Sequence, residues 1–176
     1  YQARYFYRTI NSLGNNTAIV RNVYIPKTLT SVTVLDGVID YYAFANLTSL
    51  QVVTLPQNAQ YIGPYAFYNT TSLATVNNVA NLEMICANAF NLSGIEEFNF
   101  ASKLECISNY AFYDSALENL SFANATSLAT IGQYAFAIPN SEGILNTTLQ
   151  LPTSIEEIGQ YAFTEMVYLT DLILPI

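Results

Sequence analysis

The sequence predicts a solenoid of stacked, β-rich turns, and three observations predict it. The dipeptide Ala-Phe recurs six times, at Ala43-Phe44, Ala66-Phe67, Ala89-Phe90, Ala111-Phe112, Ala135-Phe136 and Ala162-Phe163. The Phe-to-Phe steps are 23, 23, 22, 24 and 27 residues. An isoleucine stands five residues before each Phe: Ile39, Ile62, Ile85, Ile107, Ile131 and Ile158. A period in the low twenties marks a leucine-rich-repeat solenoid, in which each rung buries its apolar face only against its neighbours. The expected fold is a right-handed, curved superhelix. It should carry a parallel β-sheet on its concave face, and short strands, turns or single helical turns on its convex face.

The first half of a rung reads as a strand. Leu50-Gln51-Val52-Val53-Thr54-Leu55-Pro56 follows L-x-x-L-x-L, with Val53 and Leu55 alternating with Val52 and Thr54 as a half-buried strand requires. Pro56 ends it, having no N–H for a ladder. The phrase returns at Leu169–Pro175, and with Phe at Ile95–Phe100 and Leu117–Phe122. Asn78 takes the second inward position of its repeat, so it must find polar partners or turn the backbone.

The second half reads apolar-x-x-Ile-x-x-x-Ala-Phe, a short strand or extended arm followed by a tight turn or single helical turn that carries Ala-Phe. Ala before Phe leaves room for the next rung. Gly63, Gly132 and Gly159 follow the Ile where a bend would use glycine. The longest step holds an insertion around Ile138-Pro139-Asn140-Ser141-Glu142-Gly143, which reads as a loop on a binding face or else as a tolerated surface loop.

Residues 1–22 read as an N-terminal capping segment with a turn at Asn15-Asn16, and residues 23–176 as the repeats. An open solenoid end exposes core and strand edge, so a cap is expected there. Val23-Tyr24-Ile25-Pro26 and Val32-Thr33-Val34 are further strand phrases. The chain opens at Tyr1 and stops at Leu174-Pro175-Ile176 inside a repeat phrase. This reads as a fragment whose signal and anchor lie elsewhere.

Charge separates the two parts. Arg4, Arg8, Arg21 and Lys27 precede every acid, whereas all 13 acids meet only Lys103 thereafter. An acidic repeat body argues against nucleic acid and anionic membrane surfaces as partners. No stretch is apolar and long enough to insert in a membrane as a helix. Few charges with abundant Asn, Thr and Ser suit an extracellular or cell-surface protein.

Ile62-Gly63-Pro64-Tyr65-Ala66-Phe67 followed by Ser72-Leu73, and Ile131-Gly132-Gln133-Tyr134-Ala135-Phe136, resemble the BspA-like leucine-rich repeat. The resemblance covers residues 23–176. It implies a cell-surface or secreted protein of bacteria or parasitic protists, associated with adhesion, and it supplies no catalytic residues and no cofactor. Members of that family often carry Cys three residues after the Phe. Here that position holds Leu47, Thr70, Ser93, Ser115, Pro139 and Met166.

The candidate ligand-binding positions are the outward strand columns. One runs Val52, Thr75, Glu97, Asn119, Thr148, Asp171, and the other Thr54, Asn77, Asn99, Ser121, Gln150, Ile173. Their short polar side chains suit an extracellular protein or glycan ligand, or else form a solvated sheet face. Tyr42, Tyr65, Tyr110, Tyr134 and Tyr161 form an aromatic column interrupted by Asn88. Such a column serves either as an interface or as internal packing.

Glu83 with Glu105, and Glu96 with Glu118, align as carboxylate pairs one rung apart. They are weak candidates for a Ca²⁺ site and otherwise solvated pairs. Enzymatic activity is not expected. The chain has no His and therefore no His-based triad or zinc site. The remote exception is a glycosidase built on Glu83 and Glu105.

Cys86 and Cys106 occupy different repeat positions, a diagonal of about 8 Å across adjacent rungs. That spacing predicts free thiols. Seven N-x-S/T sequons begin at Asn15, Asn46, Asn69, Asn91, Asn119, Asn124 and Asn146. The sequence thus predicts a recognition or adhesion module, and alternatively a structural spacer or scaffold within a larger surface protein.

Overall fold

The computed structural model describes residues 2–10, 16–35, 38–139 and 144–175; for 2–10 and 16–24 it describes the backbone alone. It is a solenoid of about six turns. Among the described residues the one helical element is a single 3-10 turn at Val79–Asn81.

The Ile half of the rung builds a continuous parallel sheet. Strands β5 (Tyr61–Ile62), β7 (Met84–Ile85), β8 (Cys106–Ile107), β9 (Thr130–Ile131) and β11 (Glu157–Ile158) pair in sequence order. Ile39 extends the sheet by a bridge to Ile62. The registers place Ile on Ile in every rung, because only that register buries all the isoleucines at once. Ile39, Ile62, Ile85, Ile107 and Ile131 are fully buried, while Ile158 in the last rung is 39% exposed.

The Ala-Phe turn continues the same stack. The N–H of each of the first five Phe residues donates to the Ala carbonyl of the next rung, at 2.7–2.8 Å. The Phe rings follow at centroid spacings of 5.0–5.8 Å, with planes within 14° of parallel. Such ring pairs add about 0.5–1.5 kcal/mol each beyond the area they bury.

Glycine after the Ile serves close approach rather than a bend. None of Gly63, Gly132 and Gly159 has positive φ. A Cβ at Gly132 would stand 2.4 Å from the backbone nitrogen of Asn109 in the preceding rung. The bend is present, since the carbonyls of Gly63, Gly132 and Gly159 each accept from the Ala N–H three residues on at 3.1–3.3 Å, but the glycine itself is needed to let one rung seat against the last.

The strand phrase behaves less regularly. Strands β3 (Ser31–Thr33), β4 (Val52–Thr54) and β6 (Thr75–Asn77) form one parallel sheet, and β10 (Thr148–Gln150) and β12 (Asp171–Ile173) another. Residues 95–100 and 117–122, expected as strands, belong to no ladder. The predicted single sheet is thus divided, although Phe100, Leu120 and Phe122 still point inward and Asn99, Asn119 and Ser121 outward. Asn146 bridges part of the gap. Its side chain accepts from Leu120 N at 2.7 Å and donates to Leu120 O at 3.0 Å.

Two other expectations resolve locally. Asn78 turns the backbone with φ 64° and donates to Leu55 O at 2.9 Å. The insertion is not all surface loop: Ile138 and Ile144 are buried, Pro139 is exposed, and residues 140–143 lie outside the described set.

At the N-terminus, β1 (Gln2–Ile10) pairs antiparallel with β2 (Asn16–Tyr24), Gln2 opposite Tyr24 and Ile10 opposite Asn16. Val23-Tyr24, read as part of a rung strand, belongs to this hairpin instead. Of the expected turn, Asn15 lies outside the described residues and Asn16 opens β2.

Candidate recognition surfaces

The first surface is the outward face of the divided sheet. Thr75, Asn77, Glu97, Asn99, Asn119, Ser121, Thr148, Gln150, Asp171 and Ile173 are all exposed there, and Val52 and Thr54 are half-buried. The register sets Val52 beside Thr75 and Thr54 beside Asn77, where the Asn77 amide donates to Thr54 Oγ1 at 3.3 Å. Thr148 stands beside Asp171 and Gln150 beside Ile173. Between these ends the exposed carboxylates Glu96, Glu97 and Glu118 make the middle of the face acidic.

The tyrosine column has a backbone cause. Tyr42, Tyr65, Asn88, Tyr110, Tyr134 and Tyr161 all sit in the left-handed region, at φ 53–59°. Asn is among the few side chains that adopt it readily. Asn88 at an otherwise aromatic position was the signal in the sequence that could have found this turn.

The rings then stack along the solenoid: Tyr42 on Tyr65 at 4.8 Å, Tyr110 on Tyr134 at 5.1 Å, and Tyr134 on Tyr161 at 5.0 Å. Stacked rings spend their faces on each other, yet Tyr42 and Tyr161 are exposed and Tyr65, Tyr110 and Tyr134 half-buried, so the column lies at the surface. Burial raises the Tyr42 and Tyr134 hydroxyls above the ordinary value of 10.0, and neighbouring tyrosines add to it. Two residues after the Phe, Asn46, Asn69, Leu92, Asp114 and Glu165 repeat the left-handed turn, and Asn69 donates to Asn46 Oδ1 at 2.9 Å.

The carboxylate pairs diverge in role. Glu83 accepts from Gln60 Nε2 at 2.7 Å, whereas Glu105 is exposed. Glu96 and Glu118 are linked through backbone, Glu118 N donating to Glu96 O at 3.0 Å. Among the described residues no group of three or more His, Cys, Asp or Glu converges as a metal site would need.

Cys86 and Cys106 are free thiols. Cys106 lies opposite Met84, and Cys86 is two residues beyond Met84, just past the end of that strand, the diagonal that the spacing predicted. Burial pushes the Cys86 thiol up, and Cys106 contributes.

One feature escaped the sequence reading. Gln57, Asn58, Gln60, Asn81, Glu83 and Lys103 line an open groove of about 450 Å³ on the flank between the two sheets. Its residues come from three rungs and share no motif, so only their placement by the solenoid joins them. Glu83 lines this groove and Glu105 does not, so the pair proposed for glycoside hydrolysis does not flank it.

These columns and this core define a leucine-rich-repeat protein. A family profile described as the BspA type leucine rich repeat region matches residues 15–142 and 131–176, in six copies. The chain belongs to that family.

Three solved structures share the fold. A leucine-rich repeat protein from Bacteroides ovatus is 18% identical with a TM-score of 0.63, covering 98% of this chain and 52% of its own. A leucine-rich repeat protein from T. pallidum is 23% identical with a TM-score of 0.53, over 97% of this chain and 69% of its own. A leucine-rich cell surface protein from Faecalibacterium prausnitzii is 19% identical with a TM-score of 0.51, over 95% of this chain and 52% of its own. The chain thus spans about half the length of the first and third. No curated protein sequence matches it.

Proposed function

We propose that the chain is a recognition module of a cell-surface or secreted protein, binding an extracellular protein or glycan through the outward face of the divided sheet. The observation that carries this reading is the exposure of the outward hydroxyl and amide side chains from Thr75 to Gln150 over one continuous buried core. A face held in place before binding loses little conformational freedom on association. Recognition would act by shape and hydrogen bonding, without chemistry. The acidic middle of the face favours a partner with positive charge opposite Glu96, Glu97 and Glu118. The name of the F. prausnitzii relative, a cell surface protein, supports the location.

The test is binding of the protein to extracellular-matrix proteins and glycans at physiological salt. Replacing Thr75, Asn99 and Ser121 together with Lys should abolish saturable binding while leaving the melting temperature near that of the parent. Affinity retained in that variant would move the site elsewhere. The unbroken stack of Ile and Phe also suits a spacer. That reading requires that no ligand in the panel bind.

A further inference from the structure

Sulfur is scarce in this chain and clustered. The chain has two cysteines and two methionines, and three of these four side chains share one patch of the Ile sheet. Met84 on β7 stands directly beside Cys106 on β8. Cys86 is two residues past Met84, and Ser108 two past Cys106. The four positions are the corners of a rectangle, about 4.8 Å across the rungs and about 6.6 Å along them. Ile85 and Ile107, between the corners, are fully buried, and the alternation turns the corners away from the core. All four corners are half-buried, open to an ion from solvent yet shielded on the core side.

Two observations tie the corners together. Cys106 Sγ lies 3.8 Å from Ser108 Oγ, so it leans along its rung toward the Cys86 end of the rectangle. Burial first and the neighbouring Cys106 second raise the Cys86 thiol, which sets the two sulfurs within electrostatic reach of each other.

The diagonal from Cys86 to Cys106, about 8 Å, is too long for a disulfide. A disulfide spans a Cα separation of about 5.5–6 Å around an S–S bond of about 2 Å. An ion between the sulfurs replaces that bond by two of about 2.3 Å, which lengthens the reach by about 2.5 Å. The diagonal that excludes a disulfide therefore fits a sulfur–ion–sulfur bridge, with the Met84 thioether beside it.

The donor set selects the ion. Thiolate together with thioether suits a soft ion, above all Cu(I), which is satisfied by two or three ligands. Zn²⁺ completes a tetrahedron with thiolate, imidazole or carboxylate rather than thioether, and the chain has no His. Ca²⁺ and Mg²⁺ take oxygen ligands.

We propose that Met84, Cys86 and Cys106 form a site for one Cu(I) ion, held by two thiolates and a thioether. Each thiol gives its proton to solvent as it binds. The bridge joins the two rungs whose strand phrases, 95–100 and 117–122, form no ladder, so the ion clamps the stack where its other half is open. The site lies on the Ile sheet and does not depend on the recognition face.

The test is competition for Cu(I) between the reduced protein and a chromophoric Cu(I) chelator, in the absence of oxygen. One ion per chain is expected, with no change in oligomeric state and a rise in melting temperature on binding. Cys86→Ser and Cys106→Ser should each abolish that binding. Met84→Leu keeps the side-chain volume and should leave the metal-free melting curve in place. It should weaken binding by at least the ~10-fold that even an outer partner of a metal ligand contributes. Met166→Leu should change nothing. Ag(I), a soft ion without redox chemistry, should shift the methyl resonance of Met84 in protein with isotope-labelled methionine, and leave that of Met166 in place.

A chelator that strips every ion from the parent overturns the proposal. So does binding that survives either Cys→Ser substitution, or that is untouched by Met84→Leu. One ion shared between two chains overturns it as well, since the bridge would then join molecules rather than rungs. Met84→Leu and the Ag(I) titration of the parent keep the test decisive should a Ser variant fail to fold.

Discussion

The two halves of each rung obey different rules. The Ile and Ala-Phe half keeps its ladder through every rung, by strand pairing from Ile39 to Ile158 and by Phe-to-Ala bonds at each turn. The L-x-x-L-x-L half keeps its ladder only at the two ends. The ladder breaks where the turn is shortest. Eight positions separate Phe44 from Val52, Phe67 from Thr75 and Phe163 from Asp171, and twelve separate Phe136 from Thr148, where strands form, but only seven separate Phe90 from Glu97 and Phe112 from Asn119, where they do not.

The shortened turn pulls Gly94 against Thr71, leaving 2.2 Å for a Cβ. Phe98, Phe100 and Phe122 then fill the space with a tilted and edge-on cluster against Phe90, Phe112 and Phe136. Ring packing thus stands in for ladder bonds. The stack rests on the Ile-Phe half, which leaves the other half free to vary.

Truncating each half should expose this asymmetry. Phe90→Ala opens a cavity in the middle of a fully buried column and should cost about 3–5 kcal/mol. Phe98→Ala removes a ring that is already half-buried, so about half that cost is expected. Urea unfolding of the two variants measures both. Equal losses would mean that the Phe98 cluster holds the stack as firmly as the Phe column, and the distinction between the halves would fail.

Asn146 offers a sharper and smaller probe. It replaces a ladder with two side-chain bonds to Leu120, so Asn146→Ala leaves a donor and an acceptor of a buried residue unpaired. A loss of about 1–3 kcal/mol is expected. Asn77→Ala, which removes one 3.3 Å bond on the exposed face, should change stability by less than ~0.5 kcal/mol. If the two variants unfold alike, Asn146 does not bridge the gap.

The sequence made the fold legible because its strongest signals, Ile and Ala-Phe, occupy the half that never breaks. The exposed columns were legible for the same reason: alternation survives at Phe98 and Leu120 even without a ladder. The break itself was written in the Phe-to-strand spacing, but a one-residue change looks like ordinary repeat variation until the hydrogen bonds are counted. Asn88 held the clue to the left-handed tyrosine turn. The flank groove was not legible, since Gln60, Glu83 and Lys103 occupy three different repeats and meet only through the stacking.

The two shortened rungs carry one more mark, in the column three residues after the Phe. Thr70 is fully buried there and its hydroxyl donates to Phe67 O at 2.7 Å. Ser93 and Ser115, buried to 3% and 1% exposure, hold hydroxyls with no partner. An unpaired buried hydroxyl costs desolvation that no bond returns. Ser115→Ala removes that polar atom at the expense of little volume, so a gain of up to about 1 kcal/mol is expected. Ser115→Cys, which places there the residue that the BspA-like resemblance implies for this position, should match or exceed it, since a buried thiol behaves as a small hydrophobe. The readout is the urea midpoint at constant slope. A loss of stability in both variants would show that the Ser115 hydroxyl is bonded in solution, and the shortened rungs would then be as well satisfied as the regular ones.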